Sequence, residues 1–284
     1  MNSVRANGLE LAYLEQGTGP LVVLIHGFPD TAHTWDATMP ALAEAGYRAV
    51  APFLRGYHPS EIPKDGAYDM ETLGRDVLAL IEALGAQNAI VVGHDWGATA
   101  AYCATAQDPY RVRLLVTAAV PHPRAIKPSP RQAWKLRHFF ALRGKAAGAK
   151  LRANDFALVD ELWRRWSPAW SDVPASETAA VKECFAHAGV AEAACAYYGS
   201  LPILTTPKSL RGNIQVPTVS FAGEDDDAIK PRTFEKARIC FDASYEVIQV
   251  PGGHFMHREH PEVFVPELVK VLQQHEQRVR SATA

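Results

Sequence analysis

Short apolar runs alternate with longer amphipathic segments over the first part of the chain. Residues 9–15 alternate between apolar and polar side chains, which predicts an antiparallel strand at the edge of a sheet. The runs at residues 21–25 and 112–120 are largely apolar, which predicts strands buried on both faces. Residues 69–85 carry apolar side chains at helical spacing behind a capping Asp69, which predicts a helix. This alternation predicts an α/β fold with a mostly parallel, doubly wound sheet.

A second pattern interrupts this alternation in the middle of the chain. Strand signals vanish over residues 123–212, where helical patterns dominate, and they return at residues 216–221 and 245–250. We therefore predict a helical lid, residues 123–212, inserted into a core formed by residues 1–122 and 213–284.

The predicted lid is rich in aromatic and basic side chains. Four of the six tryptophans of the chain lie in it, namely Trp134, Trp163, Trp166 and Trp170. Its first half carries a basic run made of Arg124, Lys127, Arg131, Lys135, Arg137, Arg143, Lys145, Lys150 and Arg152. An aromatic-rich lid is suited to an apolar pocket. The basic run is typical of a solvated face, and it leaves room for an anionic substrate.

The stretch at residues 90–98 indicates a reaction type. An apolar run, residues 90–92, stops at Gly93. Asp95 follows, and a run of small residues begins at Gly97. This order predicts a strand, a very sharp turn and a helix. An aspartate on such a turn is ionised at neutral pH without help from a base. It can attack a saturated carbon that carries a strained oxygen or a halide, and an alkyl ester of the enzyme results. The alternative is a structural turn of the same composition.

Other predicted strand ends carry the groups that this chemistry requires. His254 follows a Gly-Gly turn and could activate the water that cleaves the ester. Three adjacent aspartates, residues 225–227, follow the preceding strand, and one of them could orient the histidine. In the loop of residues 26–29, the N–H of Phe28 could bind an oxyanion together with the N–H of Trp96. Ligands bind at this edge of open α/β sheets.

The chain resembles the epoxide hydrolase branch of the α/β-hydrolase superfamily, an aspartate-nucleophile group that also includes dehalogenases. The stretches that carry the resemblance are His26-Gly27-Phe28-Pro29, Gly93-His94-Asp95-Trp96-Gly97, Val120-Pro121-His122-Pro123 and Gly252-Gly253-His254. The resemblance implies the α/β-hydrolase fold, Asp95 as the nucleophile and His254 as the base. In this family the triad acid lies three residues after the strand-end glycine and five before a proline. That spacing matches Asp226, with Asp225 and Asp227 as the alternatives.

The resemblance also implies two acids in the lid. The family opens the epoxide with two tyrosines that donate to its oxygen, and a tyrosine is a suitable acid for a departing alkoxide. The segment of residues 196–199 resembles that of the second tyrosine and puts Tyr198 in its place, although Tyr198 could also be a packing residue. The stretch for the first tyrosine, residues 134–142, contains none, and His138 is the nearest donor. Some relatives use a His–Tyr pair.

These features together predict a hydrolase that opens epoxides to vicinal diols through an ester on Asp95. The main alternative is a haloalkane or haloacid dehalogenase with the same nucleophile. Such relatives usually carry an Asn at the position of Phe28 or an Arg at that of Trp96, and both are absent here. A non-catalytic binding protein on the same fold is a third hypothesis, which the complete set of Asp95, Asp226 and His254 disfavours.

Composition narrows the expected partners. The net charge of −2 gives no reason to expect nucleic acid as a partner. The four cysteines form no C-x-x-C pair and no metal spacing, which is typical of buried small residues in a reducing compartment. The predicted chemistry needs no metal and no cofactor, so we expect neither. Residues 1–8 have no apolar signal segment, and no apolar run is long enough to span a membrane. We expect a cytoplasmic protein that takes a small apolar or aromatic epoxide and water, binds no membrane and could form a homodimer.

Overall fold

The computed structural model describes residues 1–126, 134, 137–201, 205–227 and 229–283. This part of the chain contains eight strands in one sheet, namely β1 Asn2–Ala6, β2 Leu9–Gln16, β3 Leu21–Ile25, β4 Arg48–Pro52, β5 Ala89–His94, β6 Val112–Ala118, β7 Thr218–Gly223 and β8 Tyr245–Val250. Their order across the sheet is β1-β2-β4-β3-β5-β6-β7-β8. The pairs from β4 to β8 are parallel, and the pairs β1–β2 and β2–β4 are antiparallel. The prediction of an α/β fold with a mostly parallel sheet is confirmed.

One strand prediction is wrong in its position. β2 is antiparallel as expected, but it is not the edge, because β1 pairs with its outer side. Asn7 and Gly8 connect the two strands, and both have positive φ, 46° and 80°. An Asn-Gly pair of this conformation is a favoured two-residue hairpin turn. That pair is the sequence signal that could have revealed β1.

Helices cover both faces of the sheet. The α-helices in the described residues are α1 Thr38–Glu44, α2 Met70–Ala83, α3 Trp96–Gln107, α4 His138–Ala141, α5 Ala147–Trp166, α6 Ala175–Ala186, α7 Val190–Ser200, α8 Pro231–Lys236, α9 Met256–Glu259 and α10 Pro261–Thr283. Short 3-10 helices lie at Ala32–Trp35, Pro123–Ala125, Ser209–Arg211 and Ala237–Cys240. The Asp69 side chain accepts a hydrogen bond from the Thr72 N–H and caps α2, as the sequence predicts.

The core lies around the two central strands. Every residue of β3 and β5 is buried, because helices pack on both sides of these strands. Helix α3 packs closely against α2, where a Cβ on Gly74 would lie 2.8 Å from Cys103 Cβ. The first turn of α3 thus begins at the carboxyl end of the most deeply buried part of the sheet.

Between β6 and β7 the described regular elements are all helical. We call residues 119–217 the insertion; it contains α4 to α7, and the predicted lid falls within it. Its large buried side chains are mainly aromatic, namely Phe156, Trp163, Trp166, Phe185, Tyr197 and Tyr198. Of the predicted basic run, Lys127, Arg131 and Lys135 lie outside the described residues.

Candidate active site

Asp95 sits on a strained turn between β5 and α3. Its φ of 52° and ψ of −116° are outside the usual regions for a residue with a side chain. A Cβ on Gly97 would lie 2.1 Å from the Ile25 carbonyl oxygen, and one on Gly27 would lie 2.4 Å from Asp95 Cβ. Only glycine fits at these positions, so the local sequence is what allows the turn to lift the Asp95 carboxylate above the sheet edge.

His254 and Asp226 reach the same edge from the ends of β8 and β7. His254 Nδ1 lies 3.1 Å from Asp226 Oδ2, and His254 Nε2 lies 3.4 Å from Asp95 Oδ2. Asp226 Oδ1 accepts a hydrogen bond of 3.0 Å from the Ile229 N–H, which fixes the carboxylate. Asp226 and His254 are buried, whereas Asp225 is exposed. The structure therefore brings together the three residues that the sequence selected.

The loop that carries His254 is held by the end of helix α5. The His254 N–H donates to the Trp166 carbonyl at 3.0 Å, and the Phe255 N–H donates to Ser167 Oγ at 3.3 Å. Glu259 Oε1 accepts hydrogen bonds from the Gly253 N–H, at 2.8 Å, and from the Ser167 hydroxyl. Sequence reasoning missed Ser167 and Glu259, because neither residue stands in a motif or at a strand end.

The backbone around residue 28 engages the carboxylate of Asp95 directly. The Phe28 N–H donates to Asp95 Oδ1 at 2.8 Å. His26 fixes the loop of residues 26–29 through two hydrogen bonds. Its Nδ1 donates to the Gly27 carbonyl at 2.9 Å, and its Nε2 accepts from the Leu54 N–H at 3.0 Å. Burial lowers the pKa of His26 to about 4, which keeps the ring neutral for these two contacts.

Two carboxylates flank one imidazole, and this sets the charges of the site. Burial alone would lower the pKa of His254, but the negative charges and hydrogen bonds of Asp226 and Asp95 outweigh it and raise that pKa to about 10. Burial acts to raise the pKa of Asp95, yet His254 lowers it on balance. The free protein therefore holds an aspartate anion beside an imidazolium at neutral pH.

Tyr198 and His138 lie close to each other above the aspartate. The Tyr198 ring makes edge contacts with Phe28, Trp96 and His138, with ring centroids 5.1, 5.4 and 5.8 Å apart. Burial, followed by the Asp95 charge, raises the pKa of Tyr198 well above 10, so its hydroxyl keeps its proton. His138 also contacts Trp166 at 4.7 Å, and Trp166 contacts the His254 ring at 5.0 Å. The side chains of Tyr198 and His138 thus lie near the catalytic candidates of the sheet edge, among the aromatic rings of Phe28, Trp96 and Trp166.

The described residues contain neither a membrane-spanning helix nor a cluster of metal ligands. None of the helices there is both long and apolar enough to cross a membrane. Within the same residues, no group of three or more His, Cys, Asp and Glu side chains is arranged to hold a metal ion.

The strand-end triad and the parallel sheet define a class of protein. Residues 20–261 match the model of the alpha/beta hydrolase fold family, and the chain belongs to that family.

Individual relatives narrow this class. The chain is 45% identical over 120 residues to a protein from Caballeronia sordidicola named epoxide hydrolase, a match that covers 42% of this chain and 36% of that protein. It is 42% identical over 138 residues to epoxide hydrolase A of Mycobacterium tuberculosis, covering 47% of this chain and 42% of that protein. These matches span less than half the length of either relative.

Solved structures extend the similarity to nearly the whole chain. An epoxide hydrolase from Vigna radiata has a TM-score of 0.81 at 25% identity and covers 96% of this chain and 97% of its own. An epoxide hydrolase from Bacillus megaterium has a TM-score of 0.84 at 23% identity and covers 97% and 100%. At the latter identity the likeness shows the fold alone.

Proposed function

We propose that this protein hydrolyses epoxides to vicinal diols through a covalent ester on Asp95. The observation that carries the proposal is the nucleophile: an ionised aspartate on the strained turn, with a backbone N–H on one oxygen and His254 near the other. The names of the relatives from C. sordidicola and M. tuberculosis support the same activity. An aspartate nucleophile disfavours ordinary esterase chemistry, because attack on an ester would give an anhydride that reverses easily.

In the first step Asp95 Oδ2 attacks a ring carbon of the epoxide. Oδ1 is already bound to the Phe28 N–H and becomes the carbonyl oxygen of the ester. The carbon–oxygen bond of the ring breaks as the new ester bond forms, and the ring oxygen takes a proton from Tyr198, with His138 as the second donor. This step consumes the negative charge of Asp95.

The loss of that charge prepares the second step. An Asp95 ester no longer stabilises the imidazolium, so the pKa of His254 falls. The proton of the imidazolium passes through solvent to the Tyr198 oxygen, which restores the tyrosine and leaves neutral His254 as a base. Asp226 holds its Nδ1, and its Nε2 takes a proton from water. The resulting hydroxide attacks the ester carbonyl, and the N–H groups of Phe28 and Trp96 stabilise the oxyanion. Collapse of this intermediate breaks the bond to the alkyl oxygen, and the proton of the new carboxyl group passes to that oxygen. This releases the diol and restores the Asp95 carboxylate beside the imidazolium.

Within the insertion, residues 123–212 serve in this scheme as the lid over a core of residues 1–122 and 213–284. The rings of Phe28 and Trp96 beside Tyr198, and the ring of Trp166 beside His254, favour an apolar or aromatic epoxide. A dehalogenase would need side-chain donors for the halide. The Phe28 side chain offers none, which favours epoxides over halides.

The experiment is intact-protein mass spectrometry of His254→Gln after incubation with styrene oxide and, separately, with a bromoalkane. Removing the base should leave ester formation running and stop ester hydrolysis, so the protein should gain the full mass of styrene oxide. The Asp95→Asn variant is the matched control and should gain nothing.

The outcomes separate the candidate activities. An alkyl adduct from the bromide alone would make the protein a dehalogenase. No adduct from either reagent, with both variants folded by circular dichroism, would contradict the proposal and favour a binding protein.

A further inference from the structure

The insertion contacts the proposed base, His254, at its backbone as well as at its ring. Helix α5 ends at Trp166, and the end of a helix leaves carbonyl groups without a partner inside the helix. The Trp166 carbonyl accepts a hydrogen bond from the His254 N–H at 3.0 Å. The centroids of the Trp166 and His254 rings are 5.0 Å apart. The end of α5 therefore limits the movement of His254 in two ways.

The backbone before His254 is packed directly against this helix end. A Cβ on Gly253 would lie 2.5 Å from Ser167 Cα and 2.5 Å from the Trp166 carbonyl oxygen. Any residue other than glycine would push the two segments apart. The glycine thus allows a contact between the loop after β8 and the end of α5 with no side chain between them.

Ser167 and Glu259 join the same two segments by hydrogen bonds. Glu259 Oε1 accepts from the Gly253 N–H at 2.8 Å and from the Ser167 hydroxyl. Ser167 Oγ in turn accepts from the Phe255 N–H at 3.3 Å. Ser167 is fully buried, so water does not compete for its hydrogen bonds. The N–H groups on the two sides of His254 are therefore both bound by this pair of side chains.

The two steps of the proposed reaction depend on the position of His254 to different degrees. The first step uses the Asp95 carboxylate, which the strained turn and the Phe28 N–H hold. The second step requires His254 Nε2, which lies 3.4 Å from Asp95 Oδ2, to direct a water at the ester carbonyl. A misplacement of about 1 Å in such a group can cost about 10²-fold in rate. Loss of the loop's hydrogen bonds should therefore affect the second step selectively.

We propose that Ser167 and Glu259 are positioning residues for His254, which attach its loop to the end of α5 and so determine how fast the ester is hydrolysed. This inference rests on the proposed function and extends it. The insertion then supplies the acid of the first step and also holds the base of the second. Both residues act through His254 and not on the substrate.

Rapid-quench intact-protein mass spectrometry with styrene oxide measures the two steps separately. In Ser167→Ala and Glu259→Ala, ester formation should stay within about threefold of the wild type, and ester hydrolysis should slow by about 10- to 100-fold. The styrene oxide adduct should therefore accumulate although His254 is intact. In the steady state kcat and KM should fall together, because kcat/KM reports only the steps up to ester formation.

Three further variants serve as controls. Glu259→Gln keeps an acceptor oxygen for the Gly253 N–H and the Ser167 hydroxyl, so it should retain most of the hydrolysis rate. Ser171→Ala and Glu262→Gln change exposed side chains near the two positions in sequence and should leave both steps unchanged. A merely structural role would lower the folded fraction and slow both steps alike, without trapping the ester.

A measurement on the free protein separates this inference from the proposed activity. Burial acts to lower the pKa of His254, but its contacts with Asp226 and Asp95 raise that pKa to about 10. Displacement of the ring should weaken these contacts, so a histidine NMR titration should give a lower pKa in Ser167→Ala and an unchanged one in Ser171→Ala.

The outcomes decide the two proposals separately. If the wild type does not react with styrene oxide, the proposed activity fails while the titration still decides the positioning role. Equal slowing of both steps, the absence of a trapped ester in a folded Ser167→Ala variant, or an unchanged His254 pKa in that variant would overturn the positioning role.

Discussion

The sheet edge and the insertion contribute to the same site in different ways. Asp95, Asp226 and His254 each follow the end of a parallel strand, and backbone turns built on glycine place them. Tyr198 lies in the last turn of helix α7, and His138 begins the short helix α4. Their positions depend on aromatic contacts between separate elements and not on a turn.

This difference predicts different consequences of substitution in the two regions. A side chain on a strand-end turn is fixed by the sheet, so it can change without much change in folding. A side chain in the insertion shares its contacts with its neighbours, so its replacement can alter both packing and chemistry. The comparison between neighbouring residues is therefore the sharpest test in each region.

The largest effect is expected for Asp226→Asn at the sheet edge. Loss of this carboxylate leaves the Nδ1 of His254 without its partner and the ring free to adopt the wrong tautomer, so kcat should fall by about 10³- to 10⁴-fold. Asp225→Asn is the matched control, because Asp225 is exposed, and its kcat should stay within about twofold of the wild type. Steady-state kinetics with styrene oxide measures both. An equal loss in the two variants would contradict the choice of Asp226.

A smaller effect on rate, with a contrasting effect on stability, is expected for two adjacent tyrosines of α7. Tyr198→Phe removes the proposed acid and should lower kcat by about 10²-fold with little change in stability. Tyr197 donates instead to the Arg55 carbonyl at 2.8 Å, and Arg55 is paired with Asp76. Tyr197→Phe should therefore lower the free energy of unfolding by about 1–2 kcal/mol, because it leaves a buried carbonyl without its donor.

Urea denaturation and kinetics of both tyrosine variants provide the measurement. If Tyr197→Phe lost as much activity as Tyr198→Phe at equal stability, the assignment of the acid to Tyr198 would be wrong. If Tyr198→Phe retained full activity, His138 would be the sufficient donor.

The third expected effect is a change in the pKa of His254. The pKa of His254, about 10 in the free protein, depends partly on the Asp95 charge, so it should fall in Asp95→Asn. A histidine NMR titration of the two proteins measures the change. An unchanged pKa would contradict the coupling on which the second catalytic step depends.

The same coupling predicts a pH dependence of stability. The folded-state pKa of His254 is raised above 6.5, so its contribution is fully present below pH 6.5 and is lost as the pH rises to about 10. Over that interval the free energy of unfolding should fall further in the wild type than in Asp95→Asn. Denaturant titrations near both ends of the interval provide the check.

Local sequence determined the fold class and the residues of the sheet edge. Uninterrupted apolar runs form the central strands, and Gly93 and Gly97 permit a turn that other residues would block. These signals are readable because each depends on only a few adjacent residues. The Asn7-Gly8 hairpin is equally local, and it places β1 outside β2, which makes the prediction of β2 as the edge strand wrong.

Tertiary structure alone decided what surrounds these residues. Ser167 and Glu259 hold the His254 loop across separate segments, and His138 meets Trp166 only because α4 packs against the end of α5. Neither relation has a spacing or a period in the sequence. Contacts between distant segments depend on how the helices pack, and packing is set by the shapes of many side chains together.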